Sequence, residues 1–390
     1  MPAWLLPDNF SDILPDEASR LEVLRRRLLD LFAGYGYALV QPPLLEHVES
    51  LLTHESRDLD LRTFKVVDQV SGRLLGLRAD MTPQIARIDA HQSHAEGVNR
   101  LCYAGSVLHT QPAGLLSSRE PVQVGCELFG HTGLEADLEV QELALAALDA
   151  AGIQKVRLDL SHRGVYLALR DQDPALAAIE DDVLAALQSK DRVGLTRLVK
   201  SLAASTQSAL LALIDLYGPC TGADNVIQKA RKALPAITAI TQALDRLQAV
   251  ADSAMFVEHP ACVLTADLAD LRGYRYHNGV MFSIYCAGLP NAVVRGGRYD
   301  GVGAAFGRAR AATGFSLELR ELFEISGASA DADPLQRTAI AAPWRDDRAL
   351  RAAIGKLRAD GHRVVQLPQA ELSAWTGKQL INEATIWVVK

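Results

Sequence analysis

Arg-Glu-Pro-Val-Gln-Val-Gly-Cys-Glu-Leu-Phe-Gly, residues 119–130, alternates in a way that predicts a β-strand. Side chains alternate between the two faces of a strand, so Gln123, Gly125 and Glu127 share one face and apolar residues occupy the other. The glycine leaves room for a molecule against the strand, and an amide and a carboxylate flank it as hydrogen-bonding groups. The segment therefore predicts a small polar ligand site. An edge strand with its polar side in water is the alternative.

The composition is that of a globular protein, with 49% hydrophobic and 22% charged residues among 390. The net charge of −7 argues against a broad nucleic-acid-binding surface, because phosphate binding needs clustered Lys and Arg. Five cysteines are scattered without CxxC spacing, no signal peptide is recognisable, and no apolar run has the length of a membrane span. We expect reduced thiols, no metal site, no membrane association and a cytoplasmic location.

Helices and strands alternate in the first 160 residues. Asp16 is expected to cap a helix that ends at residues 34–36, where Gly-Tyr-Gly breaks the helical pattern. The other predicted helices are 83–88 and 135–150. The predicted strands are 37–40, 64–68, 74–78, 101–108 and 156–160, of which the second and third form a hairpin around Ser71-Gly72.

The second half of the chain begins with a helical region. Residues 174–250 carry Leu and Ala at helical spacing, with breaks at Gly218-Pro219 and Pro235, and predict an all-α insertion. Strands are predicted at 274–285 and 291–298. The tail from residue 331 predicts a small α/β unit, with strands at 338–342, 363–367 and 385–389 and a helix at 347–359.

Four segments, taken in their order and spacing, resemble the catalytic domain of histidyl-tRNA synthetase, a class II aminoacyl-tRNA synthetase. They are Leu-Arg-Ala-Asp-Met-Thr-Pro (77–83), the strand 119–130, Leu-Arg-Gly-Tyr-Arg-Tyr-His-Asn-Gly (271–279) and Arg-Gly-Gly-Arg-Tyr-Asp-Gly (295–301). The resemblance covers roughly residues 8–322. It implies an α+β fold with an antiparallel sheet flanked by helices. The domains would be 1–325, including the insertion at about 174–250, and a short C-terminal α/β domain at 331–390.

The resemblance also implies a site for histidine. Asp80 and Thr82 match the acid and hydroxyl that hold the amino group, although the acid here is one methylene shorter. Arg272 and Tyr276 match residues that border the carboxylate and imidazole, and His277 stands where a second tyrosine is expected. The full predicted set is Asp80, Thr82, Gln123, Glu127, Arg272, Tyr276 and His277. Helix capping is the alternative role for Asp80 and Thr82, and a structural role is the alternative for His277.

The nucleotide half of the synthetase site is not retained. His109, Gln111 and Ser117 stand where the second class II motif has charged residues. In the third motif, Glu318 replaces a glycine that admits adenine, and Glu321 replaces an arginine on the γ-phosphate. Arg119 survives, but an arginine that enters a strand is usually solvated or ion-paired. The first motif, which forms the dimer interface in the family, resembles residues 41–46.

Two functions follow from this pattern. One is a divergent histidyl-tRNA synthetase that activates histidine with ATP. The other is a regulatory protein that kept the amino-acid half of the site. The lost phosphate contacts favour the second, because removing one such contact typically costs a factor of about 10²–10³ in rate.

The pattern is similar to that of the regulatory subunits of ATP phosphoribosyltransferase, in the first step of histidine biosynthesis. This resemblance implies no catalysis of its own, no cofactor and no tRNA partner. It also implies a dimer, a hetero-octamer with the catalytic subunit, and feedback inhibition by histidine.

Overall fold

A computed structural model describes residues 5–52, 57–93, 96–112, 114, 117–272, 277–326, 339–384 and 386–390. The described residues form two compact units. The first contains those of Met1–Ser11 and Arg25–Gly327, and the second contains those of Asp12–Leu24 and Ala328–Lys390. Nothing in the sequence had suggested that residues 12–24 group with the second unit. The domain limits 1–325 and 331–390 stay a prediction.

The framework of the first unit is a nine-stranded sheet. The strands of this unit are, in chain order, β1 (Ala38–Leu39), β2 (Leu45–His47), β3 (Phe64–Val67), β4 (Leu74–Leu77), β5 (Asn99–Ser106), β6 (Val122–Phe129), β7 (Val156–His162), β8 (Tyr217–Pro219), β9 (Cys262–Asp267), β10 (Val280–Cys286), β11 (Val294–Arg298) and β12 (Ala312–Glu318). The sheet order is β1-β5-β6-β12-β11-β10-β7-β9-β8, and β2-β4-β3 form a separate small sheet.

The predicted antiparallel sheet is confirmed. All neighbours in the large sheet are antiparallel except β1 with β5 and β7 with β9. β6, which contains the segment 122–129, lies between β5 and β12. The alternative of an edge strand with its polar side in water is therefore wrong.

Helices cover the sheet on its apolar side. The helices of the chain up to residue 326 are α1 (Pro15–Gly34), α2 (Val48–Leu51), α3 (Arg57–Arg62), α4 (Thr82–His91), α5 (Leu134–Ala150), α6 (Arg163–Gln172), α7 (Glu180–Gln188), α8 (Arg192–Leu198), α9 (Ala204–Asp215), α10 (Val226–Ala233), α11 (Thr238–Ala251), α12 (Met255–Glu258) and α13 (Leu319–Ile325). α5 packs against β6, β11 and β12, where Val124, Cys126 and Leu128 are fully buried. Asp16 lies inside the first turn of α1, which begins at Pro15, so it does not precede the helix as a capping residue would and its predicted role is wrong.

The predicted all-α insertion is interrupted by a strand. Tyr217–Pro219 form β8, which pairs with β9 at the edge of the large sheet. Gly218 has a φ of +141°, a conformation that favours glycine, and Pro219 lacks the N–H that a central strand would need. The residues expected only to break a helix thus form a short edge strand.

The strand predicted at 274–285 begins later, at Val280. Residues 273–276 lie outside the described residues. The Asn278 side chain bonds both the N–H (3.0 Å) and the carbonyl oxygen (2.9 Å) of Asp300, which holds this part of the chain in a bend. The following strand likewise begins at Val294 rather than at residue 291.

The second unit contains the predicted small α/β structure. Its elements are β13 (Ile340–Pro343), α14 (Arg348–Ala359), β14 (Val364–Leu367), α15 (Gln369–Ala374), β15 (Leu380–Glu383) and β16 (Ile386–Val389). β13 and β14 are parallel, β15 and β16 are antiparallel, and α15 and β15 were not predicted. None of the helices in the described parts of either unit is long and apolar enough to cross a membrane.

Candidate functional site

One face of the large sheet is polar across six strands. Residues that are partners on neighbouring strands lie on the same face of the sheet. On the polar face, the strand register places the residues in two adjacent rows that run across the strands. The first row is Tyr103, Gly125, Ser316, Arg295, Ser283 and Asp159. The second is Leu101, Glu127, Gly314, Gly297, Met281 and Ser161. Most of these residues line a cavity of about 1400 Å³. The polar face of the sheet is therefore the floor of the candidate site.

The space above Gly125 is filled by a neighbouring side chain. A Cβ at this position would lie 2.5 Å from the hydroxyl of Tyr103, the residue directly opposite on β5. Gly314 has the same relation to Glu127, since its Cβ would lie 1.7 Å from Oε2 of that carboxyl. The prediction that Gly125 admits a ligand is wrong. Instead, the glycines admit the side chains that carry the polar groups of the floor.

Asp80, Thr82 and Gln123 form one hydrogen-bonded group at the start of α4. Oδ1 of Asp80 accepts from the Thr82 N–H and from Nε2 of Gln123, both at 3.0 Å. Oε1 of Gln123 accepts from the Met81 N–H at 2.8 Å. Asp80 thus bonds a free N–H of the helix, as the capping alternative proposed. Within the described residues its Oδ2 has no hydrogen-bond partner, so it remains available to a ligand.

Glu127 is buried and held by two tyrosines. Oε1 accepts from the Tyr103 hydroxyl at 3.1 Å, and Oε2 accepts a short hydrogen bond from the Tyr299 hydroxyl. The Tyr103 hydroxyl also lies 3.4 Å from Oγ1 of Thr82, which links this group to Asp80. Burial raises the pKa of Glu127 to about 8, although the tyrosine hydrogen bonds act in the opposite direction. In the absence of a ligand the carboxyl is mostly neutral at pH 7.

Arg272 and His277 line the same cavity. Nε of Arg272 donates to Oδ1 of Asp270 at 2.7 Å, and Nη2 donates to the second oxygen of that carboxylate and to the Tyr285 hydroxyl. Burial lowers the pKa of His277 to about 4, so its imidazole is neutral at pH 7. Tyr276 lies outside the described residues. Of the seven predicted residues, six therefore line one cavity, and their roles stay predictions.

The positions that would serve a nucleotide line the cavity as well. His109, Gln111 and Ser117 are among the lining residues. His109 is buried, and its Nε2 lies 3.0 Å from the Ala79 carbonyl oxygen and 3.0 Å from Nη2 of Arg62. An imidazole in these contacts stands at the position where the resemblance to the second class II motif predicts an arginine.

Glu318 caps α13. Its carboxylate accepts from the N–H groups of Val122 (2.8 Å), Arg320 (3.2 Å) and Glu321 (2.6 Å). Burial raises the pKa of Glu318, and it raises the pKa of Glu321, with further contributions from Glu318 and Glu324. Three acids thus stand close together on the cavity wall that the third-motif residues form. The capping role of Glu318 was not predicted, although an acidic residue directly before a helix is a known signal for it.

Arg119 is half-buried, and it makes no ion pair within 4.0 Å with any residue that the structure describes. Its guanidinium carbon lies 5.0 Å from the centre of the Phe10 ring and 5.1 Å from that of Phe64. Nε donates to the His109 carbonyl oxygen at 3.0 Å. This arginine stacks on two aromatic rings and fixes the backbone at His109.

Sequence reasoning missed Tyr103, Tyr299 and Arg295 as site residues. Tyr299 and Arg295 stand in the segment 295–301 that was singled out, and Tyr103 stands in a predicted strand. Their place on the cavity floor depends on which strands are neighbours and in which register, and neither can be read from alternation within a single strand.

Comparison with known families divides the chain into two parts. Residues 9–322 match the histidyl-tRNA synthetase family. Residues 337–390 match the family described as the ATP phosphoribosyltransferase subunit HisZ C-terminal domain.

Curated relatives match over the whole length. The ATP phosphoribosyltransferase regulatory subunit of Ralstonia pickettii is 55% identical over 99% of this chain and 97% of its own. The protein of the same name from Burkholderia vietnamiensis is 53% identical over all of both chains.

Solved structures agree. An ATP phosphoribosyltransferase regulatory subunit/histidyl-tRNA synthetase from Bacillus halodurans has a TM-score of 0.79 and 28% identity over 94% of this chain and 93% of its own. A chain of the Thermotoga maritima ATP phosphoribosyl transferase (HisG:HisZ) complex has a TM-score of 0.58 and 19% identity over 76% of this chain and 96% of its own, which shows the fold alone. The predicted class II synthetase-like fold is confirmed.

Proposed function

The chain belongs to the family of ATP phosphoribosyltransferase regulatory subunits, and from this we propose that it binds histidine in its cavity and regulates a separate catalytic subunit without catalysis of its own. The observation that carries the proposal is a contrast within one cavity. The amino-acid half is a connected set of hydrogen-bonding groups, from Asp80 to Tyr299, whereas the nucleotide half contains three acids, Glu318, Glu321 and Glu324.

The amino-acid half complements the groups of histidine. A ligand ammonium can donate to the available Oδ2 of Asp80 and to the Thr82 hydroxyl. An imidazole N–H can donate to Glu127, whose tyrosine partners fix the direction of the carboxyl. These acceptors match an amino acid whose side chain carries a nitrogen donor in addition to its α-amino group. Charge-assisted hydrogen bonds of this kind are each worth roughly 1.5–3 kcal/mol.

The nucleotide half opposes the alternative of a histidine-activating enzyme. Glu318 and Glu321 line the wall that would face the phosphates. Two like charges 4 Å apart repel by about 4 kcal/mol in surroundings of intermediate polarity. The neighbouring Arg320 is bonded to Ser11 at 3.0 Å and contacts Ser118 at 3.5 Å. A polyphosphate would therefore meet repulsion where a synthetase provides attraction.

The small sheet supports the proposal of a dimer. Leu45 on β2, Val66 and Val67 on β3, and Leu74 on β4 are all exposed apolar residues, and Leu44 next to β2 is exposed as well. Exposed apolar patches mark interaction surfaces. By the strand register, Leu45 and Val66 share one face of the small sheet, and Val67 and Leu74 share the other. Leu44 and Leu45 belong to the first-motif residues 41–46, which supports a second copy of this chain as the occupant. Assembly with the catalytic subunit, as a hetero-octamer, is proposed from the family.

Two assays with the purified full-length chain test this function. Histidine-dependent exchange of pyrophosphate into ATP should equal the no-enzyme background, with an active histidyl-tRNA synthetase as the positive control. Added to a short-form ATP phosphoribosyltransferase catalytic subunit, the chain should raise activity and make it sensitive to histidine. Exchange above background would establish the synthetase alternative, and an unchanged catalytic subunit would refute the regulatory role.

A further inference from the structure

Arg295 stands at the centre of the cavity floor. It lies on β11, directly between Ser316 on β12 and Ser283 on β10. Its side chain lines the cavity. The two flanking hydroxyls belong to the same row and face the same side. A cation with two hydroxyl neighbours is a common arrangement for holding an anionic group.

Arg295 has little bonding of its own. Among the residues that the structure describes, it makes one long hydrogen bond, from Nη1 to Oγ of Ser283 at 3.4 Å, and no ion pair within 4.0 Å. Arg272 differs, because both oxygens of Asp270 and the Tyr285 hydroxyl already bond its guanidinium. Burial lowers the pKa of Arg295, and the positive charge of Arg272 lowers it further. A half-buried cation with so few partners favours the approach of an anion.

The distance from Glu127 suits a histidine molecule. Glu127 on β6 is paired with Gly314 on β12, and Gly314 is paired with Gly297 on β11. Arg295 is two residues from Gly297 on β11, so it lies two strands across from Glu127 and two residues along. Strands are about 4.8 Å apart and rise about 3.4 Å per residue, so the two Cα atoms are roughly 12 Å apart. Both residues face the same side of the sheet. Strand side chains stand roughly perpendicular to the sheet, so their ends stay about this far apart and leave room for one amino acid with a ring.

We propose that Arg295, flanked by Ser283 and Ser316, binds the α-carboxylate of the ligand, in the role that the resemblance to the synthetases gives to Arg272. This inference rests on the proposed function, because it takes histidine as the ligand of the cavity. Glu321 and Glu324 line the same cavity, so a group with a single negative charge is accepted more readily than a polyphosphate. Arg272 then acts as a positioning residue through its pair with Asp270.

Calorimetry with L-histidine on four full-length proteins tests the assignment: the parent, Arg295→Met, Arg272→Met and Arg100→Met. Arg100 is the matched control, because it lies on β5 with its ion pair to Glu139 on the opposite face of the sheet. Arg295→Met should weaken histidine binding by roughly 10- to 150-fold, the loss of one charge-assisted hydrogen bond or more. Arg100→Met should bind like the parent, and Arg272→Met should lose less affinity than Arg295→Met.

L-Histidine methyl ester separates a carboxylate contact from a general defect. The ester keeps the amino group and imidazole but has no negative charge, so the parent should prefer histidine and Arg295→Met should show little preference. Equal losses for the ester and histidine in Arg295→Met would overturn the carboxylate assignment, as would a larger loss in Arg272→Met. Unfolding curves for each variant exclude a folding defect. A parent that binds neither ligand would instead refute the proposed function.

Discussion

Replacing Glu127 with Gln should weaken histidine binding by an amount that depends on pH. The amide is nearly isosteric with the carboxyl, so the Tyr103 and Tyr299 contacts can largely persist. It cannot become negative, whereas the parent side chain can ionise when the ligand donates to it. The variant therefore isolates the value of that charge in the cavity.

The magnitude follows from the pKa of about 8 that burial gives Glu127. Ionising such a group costs about 1.4 kcal/mol at pH 7 and about 0.2 kcal/mol at pH 8.5. The charge-assisted hydrogen bond to the ligand contributes roughly 1.5–3 kcal/mol to the binding free energy. The loss in the variant should thus be at most about tenfold at pH 7 and about ten- to hundredfold at pH 8.5. The ratio of the two dissociation constants should rise about eightfold between these pH values.

Calorimetry of both proteins at pH 7 and 8.5 measures the ratio of their dissociation constants for histidine. The titration of free histidine affects both constants equally, so it cancels in the ratio. Gln123→Met is the control, because it removes a neighbouring contact that does not titrate, and its ratio to the parent should stay constant. A Glu127→Gln ratio that changes by less than twofold would refute the reasoning that Glu127 ionises on binding.

Three further predictions concern stability. Because the folded-state pKa of Glu127 is raised, its contribution to stability is fully present below the unfolded pKa of about 4.3. It is lost as pH rises through 8. Urea unfolding should show the parent losing up to a few kcal/mol of stability relative to Glu127→Gln across this range. Glu318→Ala removes a helix cap with three backbone donors and should cost about 2–4 kcal/mol in the same assay. Gly314→Ala places a methyl group against Glu127, so it should cost about 1–3 kcal/mol and abolish histidine binding by calorimetry.

Alternation was enough to predict β6 and the side of it that carries function. Gln123 and Glu127 do face the cavity, because a strand with one apolar face must bury that face against helices. The start of α4 was also predictable, since Pro83 fits only the first turn of a helix. These features depend on local sequence. The resemblance in motif order supplied the large sheet, which local pattern alone could not.

Features that depend on neighbours in space could not be predicted. The space over Gly125 belongs to Tyr103, which is 22 residues away in sequence but directly opposite in the sheet. Arg119 stacks on Phe10 and Phe64, and no local signal links these three residues. The strand β8 exists because β9 offers it an edge. In each case the conformation or contact depends on a residue or strand that is adjacent in space and distant in sequence.

The histidine response of the reconstituted complex tests the central claim most directly. The catalytic subunit is combined with the parent chain or with Asp80→Ala, and activity is measured against histidine concentration. In the proposed site Oδ2 of Asp80 accepts from the ammonium group of the ligand, and the substitution leaves the exposed apolar residues of the small sheet unchanged. Activity without histidine should equal that of the parent complex, and the histidine concentration for half-inhibition should rise about tenfold or more. An unchanged inhibition curve would contradict the account, because the cavity would then not be the regulatory site.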